Sequence, residues 1–349
     1  MNIGFGIIGC GMISRFHARA LQEIPAAKLV ACCSSRFQAA QEFANEFNCR
    51  ACTSVEEMVA RDDVHVITIC TPSGVHLEPA LLAAAAGKHL LIEKPLEINL
   101  ERCDRLIEAC AKANVRLATI FPARFHESWR TLKRAIDSGR FGRLVLGSAY
   151  VKWYRTQQYY DQGNWRGTWE LDGGGALMNQ AIHTIDLLQW LMGPVDSVSA
   201  IIATLAHERI EVEDVAVASL RFRNGALGSI EATTASFPGM PKRIEIHGDS
   251  GSAIVEEEVL KHWRFANSLN EDDVLRQKYS STKSSEGGAS NPAAIGHVAH
   301  RMLFADFIES IHGRQATMPD GQEGRKSVEI IRAIYDAARL GIRIELSTL

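Results

Sequence analysis

The first 120 residues alternate short apolar runs with helical segments, and no other feature narrows the possible architectures as far. "IGFGIIG" (3–9), "KLVACC" (28–33), "VHVITIC" (64–70), "HLLIE" (89–93) and "VRLATI" (115–120) read as buried strands. Segments 13–24, 37–47, 77–86 and 100–113 carry helical periodicity between them. Such alternation implies right-handed crossovers, so the spacing predicts an α/β fold with a doubly wound parallel sheet.

The first strand runs into "GIIGCGMISRFHARAL", a Gly9-x-Gly11-x-x-Ser14 turn before a helix. Gly9 permits the tight turn. Gly11 lets a pyrophosphate reach the helix N-terminus, where Met12 and Ile13 begin the helix. Ser14 stands where a third Gly or Ala is usual and is small enough for close packing. Set between strand and helix, the motif predicts a dinucleotide site.

The second strand ends in "CCSSRF". Ser34, Ser35 and Arg36 offer no carboxylate to repel a 2′-phosphate, and Arg36 could pair with one. NADP is therefore favoured over NAD, the alternative being an ordinary solvated Arg36 at a helix start. "TICTPSGVHLEPAL" ends a further strand and places Thr71, Pro72 and His76 near the cofactor, although His76 fits equally as a helix-start residue without a ligand. "HLLIEKPLEIN" ends another in Glu93-Lys94-Pro95. Ligands of open α/β sheets sit beyond the carboxyl ends of strands, so Lys94 is either a residue of the nicotinamide site or a solvated surface lysine.

After residue 122 the pattern changes. A helix at 126–138 precedes alternating segments at 143–153, 196–204, 212–223, 226–235, 243–248 and 252–265. With turn signals at "RNGALG" and "GDSGS", these predict a large, open, mostly antiparallel sheet. The domain expectation is 1–122 for dinucleotide binding and 123–349 for substrate binding and oligomerisation. "STKSSEGGASNP" (281–292) reads as a polar loop, followed by amphipathic segments at 297–312 and 324–340 and a short "IRIEL". These last helices could return to the first domain.

Inside that run lies "WELDGGGALMNQAIHTIDLLQWLMG", three glycines leading into a helix that is apolar nearly all round. At about 100° per residue, Asn179, His183 and Asp186 fall on one narrow face. Upstream, "VKWYRTQQYYDQGNWRGTWE" (151–170) interleaves Trp153, Tyr154, Tyr159, Tyr160, Trp165 and Trp169 with Arg155 and Arg166. Aromatic faces suit the C–H faces of sugars, and arginines supply forked donors; core packing and a subunit interface are the alternatives.

Composition removes several classes. Lys plus Arg total 38 against 41 for Asp plus Glu, a net charge of −3, so neither nucleic acid nor an anionic membrane is expected as partner. The start lacks the pattern of a signal peptide, and no apolar run reaches membrane-span length, which points to a soluble cytoplasmic protein. All eight cysteines fall between positions 10 and 110. Cys49 and Cys52 form a lone C-x-x-C with no second ligand pair, so reduced structural thiols and no metal are expected.

Together, the G-x-G start, "TPSGVHLEPAL", the "EKP" tripeptide, "GGGALMNQAIHTID" and the C-terminal "GRKSVEIIRAIYDAARLG" resemble the Gfo/Idh/MocA oxidoreductases over essentially the whole chain. The resemblance implies an N-terminal Rossmann domain and a C-terminal α/β domain whose open sheet forms homodimers or homotetramers. It implies that Lys94 and His183 act on a sugar or polyol hydroxyl. It also places Glu93, Trp165 and Arg166 at the cofactor, and Arg124, Tyr154, Arg166 and Asn179 at the substrate. The position four before the histidine is commonly Asp in this family. Asn179 cannot take up the proton, so it can orient substrate but not act as base.

That leaves His183 as proton carrier and Lys94 as electrostatic partner of a developing alkoxide. Asp186 either fixes the His183 tautomer or merely satisfies it. "WRGTWELDGGGALMNQAIHTIDLLQW" is particularly like the branch acting on UDP-N-acetylglucosaminuronate, for which Arg124, Arg155 and Arg166 are candidates to hold the carboxylate or diphosphate. Arg124 fits equally as a structural partner of Asp or Glu. The alternative activity is an NAD-dependent glycosidase that oxidises its substrate transiently.

Overall fold

A computed structural model describes residues 2–279, 289 and 296–346 of the chain. The loop expected at 281–292 lies, apart from Ala289, outside the described residues. The chain forms two compact units, Met1–Pro122 with Gly296–Val328, and Ala123–Ile295 with Glu329–Leu349.

The first unit holds six strands: β1 (Ile3–Ile8), β2 (Ala27–Cys33), β3 (Arg50–Cys52), β4 (Val66–Ile69), β5 (His89–Glu93) and β6 (Leu117–Ile120). Their order is β3-β2-β1-β4-β5-β6, with every neighbouring pair parallel. Strand order reverses between β1 and β4, so the carboxyl ends of these strands border the crevice where dinucleotides bind in such sheets. β1 and β4 are wholly buried, which explains why they read as continuous apolar runs. Sequence periodicity missed β3 and the helix Val55–Val59. Each is too short to establish a period, and the helix is announced only by Ser54, whose side chain accepts from the Glu57 N–H at 3.1 Å. Residues 296–328 add the helix Val298–Ile311, which stacks Phe304 on Phe5 at 6.3 Å, and a segment whose Pro319 carbonyl accepts from the Thr119 N–H.

The second unit carries β7 (Leu144–Lys152), β8 (Val195–Ala203), β9 (Val215–Phe222), β10 (Leu227–Thr233), β11 (Arg243–Gly248), β12 (Gly251–Glu256), β13 (Val259–Phe265) and β14 (Ile344–Glu345). They form one open sheet in the order β13-β12-β11-β7-β10-β9-β8-β14. Only the β7–β10 pair is parallel. The segment expected as one strand at 252–265 is two, broken where Glu257 takes φ +51°. Helices Glu127–Asp137 and Ile182–Met192 cover one face. β9 shows the consequence, burying Ala216, Ala218, Leu220 and Phe222 and exposing Val217, Ser219 and Arg221.

The glycine-led segment differs most from expectation. Its helix begins only at Ala176, and Ala176–Ala181 winds as a π-helix before the α-helix Ile182–Met192. Residues 169–175 form the turn into it. The wider i→i+5 winding means that a constant 100° step does not hold across Asn179.

Candidate active site

In the first unit, Gly9 takes φ +92°. A Cβ there would meet the Cys70 carbonyl oxygen at 2.7 Å, so both conformation and the close passage of β4 require glycine. Gly11 is different: a Cβ would find nothing within 4 Å. It is the N-cap of the helix Met12–Gln22, which has no side-chain cap and no acidic residue in its first turn. The first N–H groups of that helix are therefore left by the side chains to an incoming anion, which fits a dinucleotide pyrophosphate. Ser14 is fully buried and returns its hydroxyl to the Gly11 carbonyl at 2.7 Å, which reconciles it with the position usually held by glycine. At the end of β2, Ser35 and Arg36 are exposed and Ser34 is half-buried.

His76 takes the structural alternative. Its ring is buried, with Nδ1 on the carbonyls of Pro95 and Leu96 at 3.0 and 3.3 Å and Nε2 on that of Thr71 at 3.1 Å. Both nitrogens thus face carbonyls, and the one that carries the proton ties the ring to the turn after β4 or to the turn after β5. Thr71 is likewise turned inward, donating to the Val75 carbonyl.

Beneath Lys94 lies a polar cluster that sequence reasoning missed. Glu93 Oε1 meets His17 Nε2 at 2.8 Å and His300 Nε2 at 3.9 Å, while Glu93 Oε2 accepts the Lys94 N–H at 3.2 Å. His17 Nδ1 contacts Thr68 Oγ1 at 2.9 Å and Cys70 Sγ at 3.1 Å. Burial pushes the Glu93 carboxyl up, but the hydrogen bond and charge interaction with His17, with the charges of His300 and Lys94, hold it at about 2. Glu93, His17 and His300 could ligate an ion, since their donor atoms lie within 4.8 Å of one another. His17 and Glu93 satisfy each other directly, and the cluster reads here as the anchor of the β5 end. In sequence His17 is marked by the apolar residues at i+1, i+3 and i+4 (Ala18, Ala20 and Leu21), and that spacing says core.

The C-x-x-C also resolves. All eight cysteines are free thiols. The Cys10 thiol donates to the Cys33 carbonyl and the Cys32 thiol to the Ala40 carbonyl. The proximity of the three thiols lowers those of Cys10 and Cys49 and raises that of Cys32.

In the second unit, the stretch from Asp172 to Gln189 is buried except at Asn179 and His183, which are half-buried. The two residues of this stretch that are not fully buried are therefore an amide and an imidazole. Asn179 is held on both sides: Nδ2 donates to Asp172 Oδ1 at 2.5 Å and Oδ1 accepts from Gln180 Nε2 at 2.7 Å. Gln180 in turn accepts from Arg155 at 2.7 Å and donates to the Tyr159 hydroxyl at 3.0 Å. Asp172 also accepts the Gly167 N–H at 3.0 Å, locking the glycine turn.

The arginines divide. Arg124 is buried and places Nε and Nη2 on the two oxygens of Asp186 at 2.8 and 2.6 Å. This fork is the structural alternative for Arg124, and it gives Asp186 a guanidinium as a partner. Arg155 is also buried, donating to the Tyr154 and Ala289 carbonyls as well as Gln180, so it braces the wall. Arg166 remains half-buried, its guanidinium 4.6 Å over the Tyr159 ring and 4.7 Å over Trp165, with one bond to the Gln162 carbonyl. Tyr154 and Trp165 are half-buried beside it in sequence, and Tyr154 packs edge-on against Phe237 at 5.3 Å.

A six-stranded sheet of this order, with an open glycine at an uncapped helix N-terminus, defines a dinucleotide-binding Rossmann fold. Residues 3–121 match the oxidoreductase family with NAD-binding Rossmann fold, and residues 129–254 match the GFO/IDH/MocA C-terminal domain. The chain belongs to the Gfo/Idh/MocA oxidoreductase family. It is 32% identical over 255 residues to the myo-inositol 2-dehydrogenase of Thermotoga maritima, covering 70% of this chain and 73% of that one. To the levoglucosan dehydrogenase of Pseudarthrobacter phenanthrenivorans it is 27% identical over 380 residues, covering 97% and 96%. The WlbA dehydrogenase of Bordetella pertussis, solved with NADH and UDP-GlcNAcA, superposes with a TM-score of 0.92 at 38% identity, covering 100% of this chain and 99% of that one. Among the described residues, no helix is long and apolar enough to cross a membrane.

Proposed function

We propose that the protein is a dehydrogenase or reductase that moves hydride between a nicotinamide dinucleotide and a secondary hydroxyl or ketone of a sugar, with UDP-GlcNAcA-type nucleotide-linked uronates as the substrate class. The observation that carries this reading is that Asn179 and His183 are the two polar residues left half-buried in the otherwise buried stretch Asp172–Gln189. End-to-end similarity at 38% identity to a dehydrogenase solved with UDP-GlcNAcA supports the substrate class.

The roles follow from the groups. When bound, a nicotinamide would supply the acceptor for the hydride of the alcohol carbon. His183 takes the hydroxyl proton as general base and returns it in the reverse direction. Lys94 stabilises the developing oxyanion. Asn179, its amide fixed by Asp172 and Gln180, orients neighbouring hydroxyls. Arg166, stacked and half-exposed, is the arginine available to a carboxylate or phosphate. Gly9, Gly11, Met12 and Ile13 hold the dinucleotide, and the exposed Arg36 supports NADP within this reading, whereas the similar WlbA structure holds NADH. Exposed Ile201 and Val217 face each other across β8 and β9, which supports self-association through the open sheet.

The test is a substrate screen at 340 nm with both cofactors, spanning inositols, hexoses, uronates, glycosides and UDP-sugars. Cofactor-linked turnover of UDP-GlcNAcA above all others is expected. Release of aglycone from chromogenic glycosides without net cofactor change would replace this reading with the glycosidase.

A further inference from the structure

Glu213 lies between β8 and β9, is 2% exposed, and has no part in the chemistry above. Its carboxylate is aimed at the turn that starts the substrate helix. Oε2 accepts the Gly175 N–H at 3.0 Å, and Oε1 accepts the Leu177 N–H at 2.8 Å and the Tyr335 hydroxyl at 3.0 Å. The Glu213 carbonyl also accepts the Ala176 N–H at 3.0 Å. One residue therefore receives three consecutive N–H groups, those of residues 175–177, at a helix start with no side-chain cap of its own.

The glycines fit the same contact. A Cβ on Gly175 would meet the Glu213 carbonyl oxygen at 1.9 Å, and one on Gly174 would meet the Tyr335 hydroxyl at 2.0 Å. Their absence of side chains is what lets Glu213 and Tyr335 close on the turn. Two residues beyond Leu177 comes Asn179, and four further His183.

We propose that Glu213 and Tyr335 are positioning residues for substrate: together they clamp the glycine turn and set the placement of Asn179 and His183, and the clamp is tight only while Glu213 is a carboxylate. The inference rests on the reading that Asn179 and His183 meet substrate. Three donors converge on Glu213, an arrangement suited to the acceptor-only carboxylate. Protonation would turn one oxygen into a donor facing other donors, so Tyr335 must reverse its hydrogen bond or a backbone bond must lengthen. Tyr335 contacts the carboxylate, and Tyr160 from the short helix Gln157–Asp161 feels its charge; both tyrosines also feel the charge of Asp172 from the glycine turn. Burial pushes the Glu213 carboxyl up to about 7, against the N–H groups of Leu177 and Gly175 and the Tyr335 hydroxyl that hold it down. The clamp therefore works near neutrality.

The first measurement needs no substrate. Deuterium uptake of peptides spanning residues 172–180 is followed in the full chain between about pH 6 and pH 8, corrected for intrinsic exchange. Wild-type protection should rise with pH. Glu213→Gln should show low, pH-independent protection, because its amide nitrogen faces an N–H group. Tyr335→Phe removes a donor to the carboxylate, so its midpoint should move to higher pH. The same variants are then assayed with UDP-GlcNAcA and NAD. Tyr335→Phe should raise KM at least about tenfold near pH 6.5 with less change in kcat and an unchanged NADH Kd, and the KM should recover at higher pH. Wild-type protection and KM in both variants, or a Tyr335→Phe midpoint that does not move, overturn the proposal. Should Glu213→Gln not fold, Tyr335→Phe alone decides. Failure of His183 variants to lose turnover would remove the functional reading while leaving the exchange result standing.

Discussion

Asn179 donates to Asp172 Oδ1 at 2.5 Å, so a carboxylate sits directly beside the amide that replaces the family's usual acid. The pair explains why an amide is stable here: an acid at 179 would share the space with Asp172, and two carboxyl groups this close retain one proton between them.

Asn179→Asp should therefore be destabilised by about 1–3 kcal/mol at pH 8, through the lost hydrogen bond and like-charge repulsion. The deficit should shrink at pH 5, where the pair holds a proton. Urea unfolding of both proteins at the two pH values measures it; an equal deficit at both would mean that repulsion is absent.

Lys94→Ala and His183→Ala should each lower turnover by about 10²–10⁴-fold. His183→Ala should leave NADH affinity within about threefold, since the dinucleotide fold lies in the other unit. Stopped-flow single turnovers separate the chemical step from binding. Near wild-type rates in either variant would remove that residue from the mechanism.

The first unit was legible because buried parallel strands are apolar throughout and their helices are amphipathic, so two local periods write out the topology. Val55–Val59 and β3 escaped because segments of three to five residues span too few periods to establish one. The site was legible at Gly9, Gly11, Asn179 and His183, where local motifs carry the information. It was not legible at Glu213, Tyr335, Asp172 or His17. Their partners lie 122, 7 and 76 positions away for the Tyr335–Glu213, Asn179–Asp172 and His17–Glu93 pairs, and a single sequence does not reveal such pairings. Arg124 shows the converse. A guanidinium in an apolar context suits a ligand or an internal carboxylate equally, and only the fork onto Asp186 separates them.

The Glu93 carboxyl, held at about 2 by the His17 hydrogen bond and neighbouring positive charge despite its burial, links stability to acid. Its folded value lies below the ordinary 4.5, so its contribution is full above that pH and is lost as pH falls toward 2. A drop of this size corresponds to about 3 kcal/mol. Glu93→Gln should flatten the fall in stability between pH 5 and 3, and His17→Ala should cost about 3 kcal/mol at pH 7 by stranding a buried carboxylate. Denaturation series at these pH values check both; an unchanged acid limb in Glu93→Gln would assign the linkage elsewhere.

Arg36→Ala should weaken NADP by about tenfold or more and NAD by less than about twofold, because only the 2′-phosphate needs the guanidinium. Titration of each cofactor against intrinsic fluorescence decides. Equal losses would mean that Arg36 is a solvated helix-start residue.

The two loop glycines should part company when changed to alanine. Gly9→Ala places a Cβ 2.7 Å from the Cys70 carbonyl oxygen at φ +92°, so the cofactor-free protein should lose about 2 kcal/mol or more. Gly11→Ala meets nothing within 4 Å and has φ −87°, so the cofactor-free melting temperature should be unchanged. Its methyl group would instead stand where the pyrophosphate comes down on the helix N-terminus, and NADH affinity should drop at least about tenfold. Melting curves with and without saturating NADH distinguish the cases: Gly11→Ala should lose the cofactor-induced rise while keeping its baseline. A Gly11→Ala protein that melts early without cofactor, or that retains the full NADH shift, would place the dinucleotide away from this turn.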